Sequence, residues 1–214
     1  MLEITFWSHP FEKVTQGFGS HSFHRLHFVD VYEFVSSVMN TLRFTVPCRE
    51  GRFTTLKEKK NISLETVDSQ RYLRSLSKEN MPFASPNPER MTIHFYKANW
   101  TDKNFRGMPV VLNFTDSQSF LKCSRQDEGA ILRVEACDKH RLRLICQQDE
   151  SALAFLFYMK GTMSGQHQFE SALCESWFIQ VLHQETVQVT HQPASLPAME
   201  EDPSFYFNIH SYSN

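Results

Sequence analysis

The hydrophobic positions of the chain follow two different periods, one on each side of a basic stretch near residue 60. Between residues 24 and 43 the apolar residues recur at spacings of three and four, which predicts one face of an amphipathic helix: Phe28, Val31, Val35, Val38 and Leu42. Pro47 prevents this helix from continuing. Residues 49–60 carry several lysines and little to bury, and this composition predicts a linker.

After residue 60 the helical period does not return, and short aromatic and β-branched runs alternate with polar breaks. Met91, Ile93 and Phe95 alternate with Thr92, His94 and Tyr96, which predicts a strand with one buried face. The same composition predicts further strands at residues 110–114, 120–123, 131–136, 155–159, 169–172, 177–182, 187–189 and 205–209. About ten to twelve short strands predict an all-β sandwich or barrel, and their number does not choose between the two.

The composition is typical of a chain that folds. Its 214 residues are 41% hydrophobic and 21% charged, with a net charge of -2. So small a net charge provides no basic field for a polyanion, so nucleic-acid binding is disfavoured. The longest apolar run, residues 152–159, is far shorter than the roughly 20 residues that membrane insertion requires. The N-terminus lacks the basic start and apolar stretch of a signal peptide, so we expect synthesis in the cytosol.

The sequence contains no group of residues typical of an enzyme. Gly161, Ser164 and Gly165 resemble a nucleophile elbow, but the serine is one position out of place and a hairpin turn is the better interpretation. No phosphate-binding glycine loop can be written. The cluster of His21, His24 and His27 lacks Cys or carboxylate partners at metal-binding spacing. We therefore expect a solvated histidine cluster, no metal and no cofactor.

The cysteines are spread widely and include no C-x-x-C pair: Cys48, Cys123, Cys137, Cys146 and Cys174. Cysteines of this kind in a reducing compartment stay unpaired. The pattern predicts buried free thiols, and it favours neither a disulfide framework nor a zinc site.

One run near the C-terminus resembles the signature of the interleukin-1 family. In that signature a phenylalanine, any residue, a serine and a small residue precede an aromatic-aliphatic strand by a fixed gap. The matching residues here are Phe169, Ser171, Trp177, Phe178 and Ile179. Glu175 replaces the usual proline, and Gln180 and Val181 depart from the residues that usually follow. Other segments agree in order with the family: Arg106-Gly107-Met108-Pro109-Val110, residues 120–123, 130–135 and 155–157, and Asp68-Ser69-Gln70.

The resemblance covers residues 61–214 and implies a β-trefoil of about twelve short strands. It implies a secreted pro-inflammatory cytokine of the interleukin-1 beta-like precursor type, not an enzyme. Members bind a receptor with immunoglobulin-like ectodomains and recruit an accessory chain, and we expect a monomer. An interleukin-18-like member, a receptor antagonist of the same family and a cytosolic β-barrel enzyme are the alternatives. A heparin-binding trefoil is disfavoured because only one lysine and no arginine follow Arg143.

The resemblance also divides the chain and assigns a binding surface. Residues 1–60 are expected to be a propeptide removed by a processing protease, and residues 61–214 the cytokine domain. The precursor is expected in the cytosol and the mature protein outside the cell, released without a signal peptide. Receptor contacts are expected at Arg71, Met108, Lys160, Glu201, Asp202 and Ser204. An aspartate near the position of Ser204 is associated with agonism, and here Asp202 stands two residues earlier.

Overall fold

Antiparallel strands form nearly all of the regular structure of the chain. The computed structural model describes residues 51–75, 80–99, 105–127, 129–192 and 202–212. These contain 13 strands in one sheet. The strands are β1 (Arg52–Thr66), β2 (Tyr72–Ser75), β3 (Pro82–Ser85), β4 (Met91–Ala98), β5 (Met108–Phe114), β6 (Ser119–Gln126), β7 (Gly129–Ala136), β8 (Leu144–Cys146), β9 (Leu156–Gly161), β10 (His167–Ser171), β11 (Trp177–Leu182), β12 (Thr186–His191) and β13 (Phe207–Ser211).

The helical structure in the described residues is limited to single turns. A short α-helix, α1 (Glu150–Leu153), precedes β9, and 3-10 turns occur at Lys139–Leu142 and Pro203–Phe205. No helix in this part of the chain is long and apolar enough to span a membrane. The helix predicted over residues 24–43 and the cluster of His21, His24 and His27 lie outside the described residues.

The sheet closes into a barrel because its pairing returns to the strand where it began. β1 pairs with β4, β4 with β5, β5 with β9, β9 with β10, β10 with β13, and β13 with β1. Three hairpins stand outside this ring: β2–β3, β6–β7 and β11–β12. A closed barrel with three hairpins is a β-trefoil, so the predicted fold is confirmed. Closure pairs the barrel strands on both sides and leaves the ring without an open edge.

Large apolar side chains fill the barrel. Residues of the ring strands with almost no exposed surface include Ile62, Leu64, Met91, Ile93, Leu112, Phe114, Phe157, Phe169 and Phe207. The rings of Phe169 and Phe207 meet edge to face with their centroids 5.8 Å apart. The first residue of the family signature is therefore part of the barrel core.

The prediction of a linker over residues 49–60 is wrong for residues 52–60, which form the first part of β1. Phe53 pairs with Ala98 of β4 on one side and with Ile145 of β8 on the other. Most side chains in this part of β1 are exposed, so the sequence shows no buried period. Backbone pairing with β4 along the segment and with β8 at residues 52–54, together with the buried ring of Phe53, holds this segment.

Two further differences from the sequence predictions have local causes. β4 has both faces covered, since Thr92 and His94 are buried as well as Met91 and Ile93. The final strand starts at Phe207 and not at residue 205, because Asp202 caps a 3-10 turn that begins with Pro203. β2, β3 and β8 are three or four residues long and too short to show a period.

The predicted turn between Gly161 and Gly165 is confirmed as the connection of the β9–β10 hairpin. The amide of Thr162 donates to the carbonyl of Gln166 at 2.8 Å, and Gly165 adopts a positive φ of 81°. The prediction of buried free thiols is confirmed for Cys123, Cys137 and Cys174. It is wrong for Cys146, which is disulfide-bonded, and Cys48 lies outside the described residues.

Replacement of Phe169 by alanine is expected to destabilise the fold by about 3–5 kcal/mol, because it empties a fully buried site beside Phe207. The free energy of unfolding from denaturant titration measures this. Met163→Ala, in the exposed β9–β10 turn, is the control and should leave the unfolding midpoint unchanged. An unchanged midpoint in Phe169→Ala would remove this ring from the core.

Candidate functional site

A buried carboxylate organises the surface on which several of the predicted contact residues lie. Glu170 of β10 is only 3% exposed. Its Oε1 accepts from Arg106 Nη2 at 2.6 Å and from the Ser176 amide at 3.0 Å, and Lys160 Nζ lies 3.1 Å from Oε2. We call Glu170, Arg106 and Lys160 the Glu170 cluster. It joins the loop before β5, strand β9 and the signature loop after β10.

The ionisation of Glu170 depends on this pairing. Burial alone would raise the pKa of Glu170. The hydrogen bond from the Ser176 amide, the hydrogen bond and charge of Arg106, and the hydrogen bond from Lys160 outweigh that effect. The pKa of Glu170 therefore lies below its ordinary value, and the cluster holds a carboxylate with two cations around it.

Arg106 fixes the approach of the chain to β5. Its Nη2 also donates to the carbonyl of Ser171 at 2.9 Å, and its guanidinium stacks 4.5 Å from the centroid of the Tyr158 ring. The next residue, Gly107, has a φ of 129° and passes so close to β9 that a Cβ atom would lie 2.7 Å from the carbonyl oxygen of Met159. Only glycine fits there. Arg106 and Gly107 together fix the position of Met108, the first residue of β5.

An exposed apolar groove lies next to the Glu170 cluster. Its volume is about 370 Å³, and Phe53, Tyr96, Pro109 and Tyr158 form part of its lining. Three apolar side chains at the groove are open to solvent: Phe105 is 81% exposed, Leu56 55% and Met108 40%. Exposed aromatic and aliphatic side chains around a concave surface are typical of a protein-binding site. We call this feature the Met108 groove.

A series of contacts runs from the Glu170 cluster through a small buried cluster to the β1–β2 turn. Lys160 Nζ stands 5.2 Å from the ring centroid of Phe178. Phe178 packs in a small cluster with Phe205, Tyr206 and Val67. The amide of Val67 donates to the carbonyl of Tyr206 at 2.9 Å. This places the β1–β2 turn beside the 3-10 turn that precedes β13.

Arg71 lies at the end of that series. Its carbonyl accepts from the Thr66 amide at 2.7 Å and closes the β1–β2 turn. Its guanidinium is 3.4 Å from Glu185 Oε1 in the β11–β12 turn. These contacts link the segments that carry Arg71 and Lys160, which are far apart in the sequence. Their contact with a receptor stays a prediction.

Of the residues expected to contact the receptor before β13, Ser204 is buried and Asp202 is exposed. Asp202 is exposed, and its Oδ1 accepts from the Ser204 amide at 3.0 Å, so its carboxylate caps the 3-10 turn. Ser204 is only 8% exposed, and its hydroxyl accepts from Gln180 Nε2 at 2.8 Å. Ser204 thus positions the turn instead of presenting its side chain. Glu201 lies outside the described residues.

The remaining signature residues have structural roles. Ser171 is fully buried and its hydroxyl accepts from the Cys174 amide at 3.0 Å. Ile179 is fully buried, Phe178 nearly so, and Trp177 is partly buried with its ring 5.6 Å from that of His191. These residues shape the loop over the Glu170 cluster. In the described residues no group of His, Cys, Asp and Glu could hold a metal ion.

The sequence interpretation missed Glu170, Arg106 and Phe105 as site residues. Glu170 stands between two buried signature residues, Phe169 and Ser171, and a lone glutamate in such a run is a signal of a paired charge. Arg106 was part of a matching segment, but its partner lies 64 residues away in the sequence. No pattern in the sequence alone joins them.

A second cavity, of about 480 Å³, lies between β1, β4 and the 3-10 turn after β7, and His94 forms part of its wall. His94 Nδ1 is 3.4 Å from Glu58 Oε2. Hydrogen bonds from Lys139 and Lys60 lower the pKa of Glu58 to about 2. Burial and, after it, the charge of Lys139 lower the pKa of His94 to about 4, so its imidazole is neutral at pH 7.

Comparison with known proteins relates the chain to one family. The family model described as "Interleukin-1 / 18" matches residues 84–205, which is more than half of the chain. No curated protein sequence matches. The chain is similar to the crystal structure of chicken interleukin-1 beta at 20% identity, with a TM-score of 0.58, over 73% of this chain and 98% of that one. A mutant of Gallus interleukin-1 beta gives the same identity and TM-score over 74% and 99%. At this identity the structures support the fold.

Glu170→Gln is expected to lower the free energy of unfolding by about 2–3 kcal/mol, because it leaves Arg106 and Lys160 without their shared carboxylate. Denaturant titration at pH 7 measures the loss. Glu175→Gln is the matched control, since this exposed neighbour makes no ion pair among the described residues. Equal stability of the two variants would contradict the assigned role of Glu170.

Acidification from pH 7.5 to pH 5 is expected to destabilise the fold through His94. The folded-state pKa of His94 is about 4, below its ordinary 6.5, so the unfolded chain binds a proton that the folded chain does not. Stability present above pH 6.5 is therefore lost toward pH 4, and the loss from His94 at pH 5 is about 2 kcal/mol. Burial lowers the pKa of His167 as well, which adds a loss of the same sign.

Denaturant titrations of the parent chain and of His94→Gln at pH 7.5 and pH 5 measure this effect. The variant should lose less stability between the two pH values, with His167 accounting for the remainder. Glu58, Lys60 and Lys139 face His94, and Glu58 stays ionised throughout this range because its pKa is about 2. A pH dependence that is identical in both proteins would contradict the assignment.

Proposed function

Since the chain belongs to the interleukin-1/18 family, we propose that it is a secreted pro-inflammatory cytokine that binds a receptor with immunoglobulin-like ectodomains and then recruits an accessory chain. Family membership makes it a cytokine rather than an enzyme. The observation that supports a receptor-binding role most directly is the Met108 groove, in which a concave apolar surface is flanked by exposed Phe105, Leu56 and Met108.

The physical argument for the groove is the distribution of binding energy in protein interfaces. A stable interface buries on the order of 1,600 Å², but a few aromatic or aliphatic anchors in well-packed pockets supply most of the affinity. The Glu170 cluster holds the groove rim in one conformation through Arg106 and Gly107. A surface fixed before binding loses less conformational entropy on association. Lys160, 40% exposed in its side chain, supplies a positive charge beside the apolar anchor.

We propose that the receptor footprint extends from the Met108 groove past Lys160 to Arg71. The contacts through Phe178 and the β1–β2 turn connect the segments that carry Lys160 and Arg71, which supports a single footprint. Asp202 lies beside this surface at the start of the last 3-10 turn. The footprint would then consist of residues at the barrel rim and in its turns. Loops at such positions can vary in sequence without loss of the core.

A receptor antagonist of the same family is the second candidate, and the region before β13 favours it. The position associated with agonism is occupied by Ser204, whose hydroxyl is buried against Gln180. The nearby carboxylate of Asp202 accepts from the Ser204 amide and caps the turn. A chain of this kind would bind the first receptor and fail to recruit the accessory chain.

We also propose that the N-terminal propeptide ends before β1, which starts at Arg52, and that a processing protease removes it from a precursor held in the cytosol. A boundary at residue 60, as the sequence pattern predicts, would divide β1 and remove the part that pairs with β4 and β8. Mass spectrometry of the protein released from expressing cells identifies the boundary. Release of the intact 25.1 kDa chain with full activity would refute the propeptide proposal.

Met108→Ala is expected to weaken binding to the cognate interleukin-1-type receptor ectodomain by at least about tenfold, because it removes an anchor from the groove. Surface plasmon resonance against a panel of such ectodomains gives the affinities. Met163→Ala, an exposed methionine that does not line the groove, is the matched control. Equal affinities of both variants would exclude the groove as the anchor.

A reporter assay in cells that carry the receptor and its accessory chain separates the two candidates. An inflammatory response identifies an agonist, whereas receptor binding without a response identifies an antagonist. Absence of binding to every ectodomain by the folded chain would contradict the proposed function.

A further inference from the structure

The lysines and arginines of this protein fall into two groups. On most of the surface they pair with carboxylates, as Arg71 does with Glu185 and Lys122 with Glu135. Among the described residues, the cations without an ion pair lie mainly on β1, at the end of β4 and around the 3-10 turn before β8, and Arg90 and Arg133 are the others. Those in this region are Arg52, Lys57, Lys59, Lys97, Arg141 and Arg143. Unpaired positive charge is therefore concentrated in one region of a chain whose net charge is -2.

Strand pairing brings these basic segments together from distant parts of the sequence. Thr54 of β1 pairs with Lys97 of β4 on one side and with Leu144 of β8 on the other. The amide of Thr55 donates to the carbonyl of Arg143 at 3.2 Å. The basic part of β1 is thereby held beside the basic 3-10 turn.

Three cations surround one depression, which we call the His94 cavity. Lys57, Lys139 and Arg143 line it, its volume is about 480 Å³, and Glu58 is the one acidic residue among its lining residues. Lys139 Nζ lies 2.9 Å from Glu58 Oε2, and Lys60 Nζ lies 3.0 Å from Glu58 Oε1. The two lysine side chains are still 57% and 59% exposed. Two ammonium groups on one carboxylate leave a net positive charge that is open to an external anion.

The base of the His94 cavity narrows the choice of anionic partner. Tyr96, Phe120 and Leu142, which line it, are buried. The lining therefore offers no exposed aromatic ring on which a nucleobase could stack, and no exposed apolar side chain that could insert into a lipid layer. A linear polysaccharide with charged groups along its length requires neither, because ion pairs supply its affinity as they do for other polyanions.

We propose that these cations form a binding surface for a sulfated polysaccharide. Its sulfate groups pair with Lys57, Lys139 and Arg143, and the guanidinium of Arg143 can donate two parallel hydrogen bonds to one sulfate. From the sequence alone, the low net charge and the scarcity of cations after Arg143 disfavour a polyanion. Both measures miss the cations up to Arg143 that strand pairing groups together. The three rim residues do not line the Met108 groove, so the proposal does not depend on receptor binding.

Isothermal titration calorimetry of the full chain with a heparin oligosaccharide of defined length tests the surface. Binding should be saturable at low salt and should weaken linearly on a plot of log affinity against log salt concentration, because ion pairing releases counterions. The same oligosaccharide after chemical desulfation should bind at least about tenfold more weakly. Equal binding of the two oligosaccharides, or no binding of either, overturns the proposal.

Matched variants test which cations make the contact. Arg143→Gln should weaken heparin binding by about three- to tenfold and reduce the salt slope by about one, because it removes one cation from the contact. Lys57→Gln should give the same result. Arg133→Gln on β7 is the control and should leave the affinity unchanged, since Arg133 is also exposed but does not line the His94 cavity. Equal effects of Arg143→Gln and Arg133→Gln would show attraction by overall charge and overturn the assigned surface.

Two other anionic partners test the choice of a polysaccharide. Phosphatidylserine vesicles and single-stranded DNA should each bind at least about tenfold more weakly than heparin at the same salt concentration. Vesicle or DNA binding as tight as heparin binding would overturn the assignment to a sulfated polysaccharide.

Nuclear magnetic resonance locates the contact without a variant. On addition of the heparin oligosaccharide, the backbone amide signals of residues 54–58 and 139–143 should shift, and those of β7 should not. Shifts centred on other strands overturn the proposal. The receptor affinity of Arg143→Gln, measured without heparin, should equal that of the parent chain, because Arg143 does not line the Met108 groove. A loss of receptor affinity in this variant would contradict the separation of the two surfaces, whereas a parent chain that binds heparin but no receptor would contradict the proposed function alone.

Discussion

The pairing of one buried carboxylate with two cations connects the core of this protein to its surface. Glu170 belongs to β10 and follows Phe169, whose ring is in the barrel core. Because its charge is buried, it has to be paired, and its partners come from the loop before β5 and from β9. The same carboxylate accepts from the Ser176 amide and holds the signature loop. A change in this one side chain therefore reaches three segments that are distant in the sequence.

The two cavities differ in a way that follows from their charges. The Met108 groove is open, apolar and bordered by residues that stand out into solvent, which suits a macromolecular partner. The His94 cavity is smaller in its exposed apolar surface and is bordered by three cations, Lys57, Lys139 and Arg143, with Glu58 among them. Both are built against β1 and β4, so the pairing of these two strands supports each of them.

The sequence predicted the elements whose side chains alternate in burial and failed where structure comes from distant pairing. β5, β6 and β11 are rich in branched and aromatic residues, and their positions agree with the prediction. The first part of β1 has exposed lysines and is a strand only because β4 and β8 pair with it. His94 was expected on an exposed face, but Phe120 of β6 covers that side of β4. The family resemblance predicted Met108 and Lys160 as receptor contacts. The connection of both residues to the Glu170 cluster became evident only from the fold.

The pairing of β1 with β13 has a consequence for the biosynthesis of the chain. Residues 62–66 of the first strand are hydrogen-bonded to residues 207–211 of the last, so the ring is complete only when both ends are present. During synthesis the segments that form β1 to β12 emerge before residues 207–211, so the earlier strands wait without their closing neighbour. Such long-range closure makes folding slow and exposes strand edges in the meantime. Closure of the barrel therefore waits until residues 207–211 have emerged, whereas a hairpin built from local contacts can form as soon as its two strands are present.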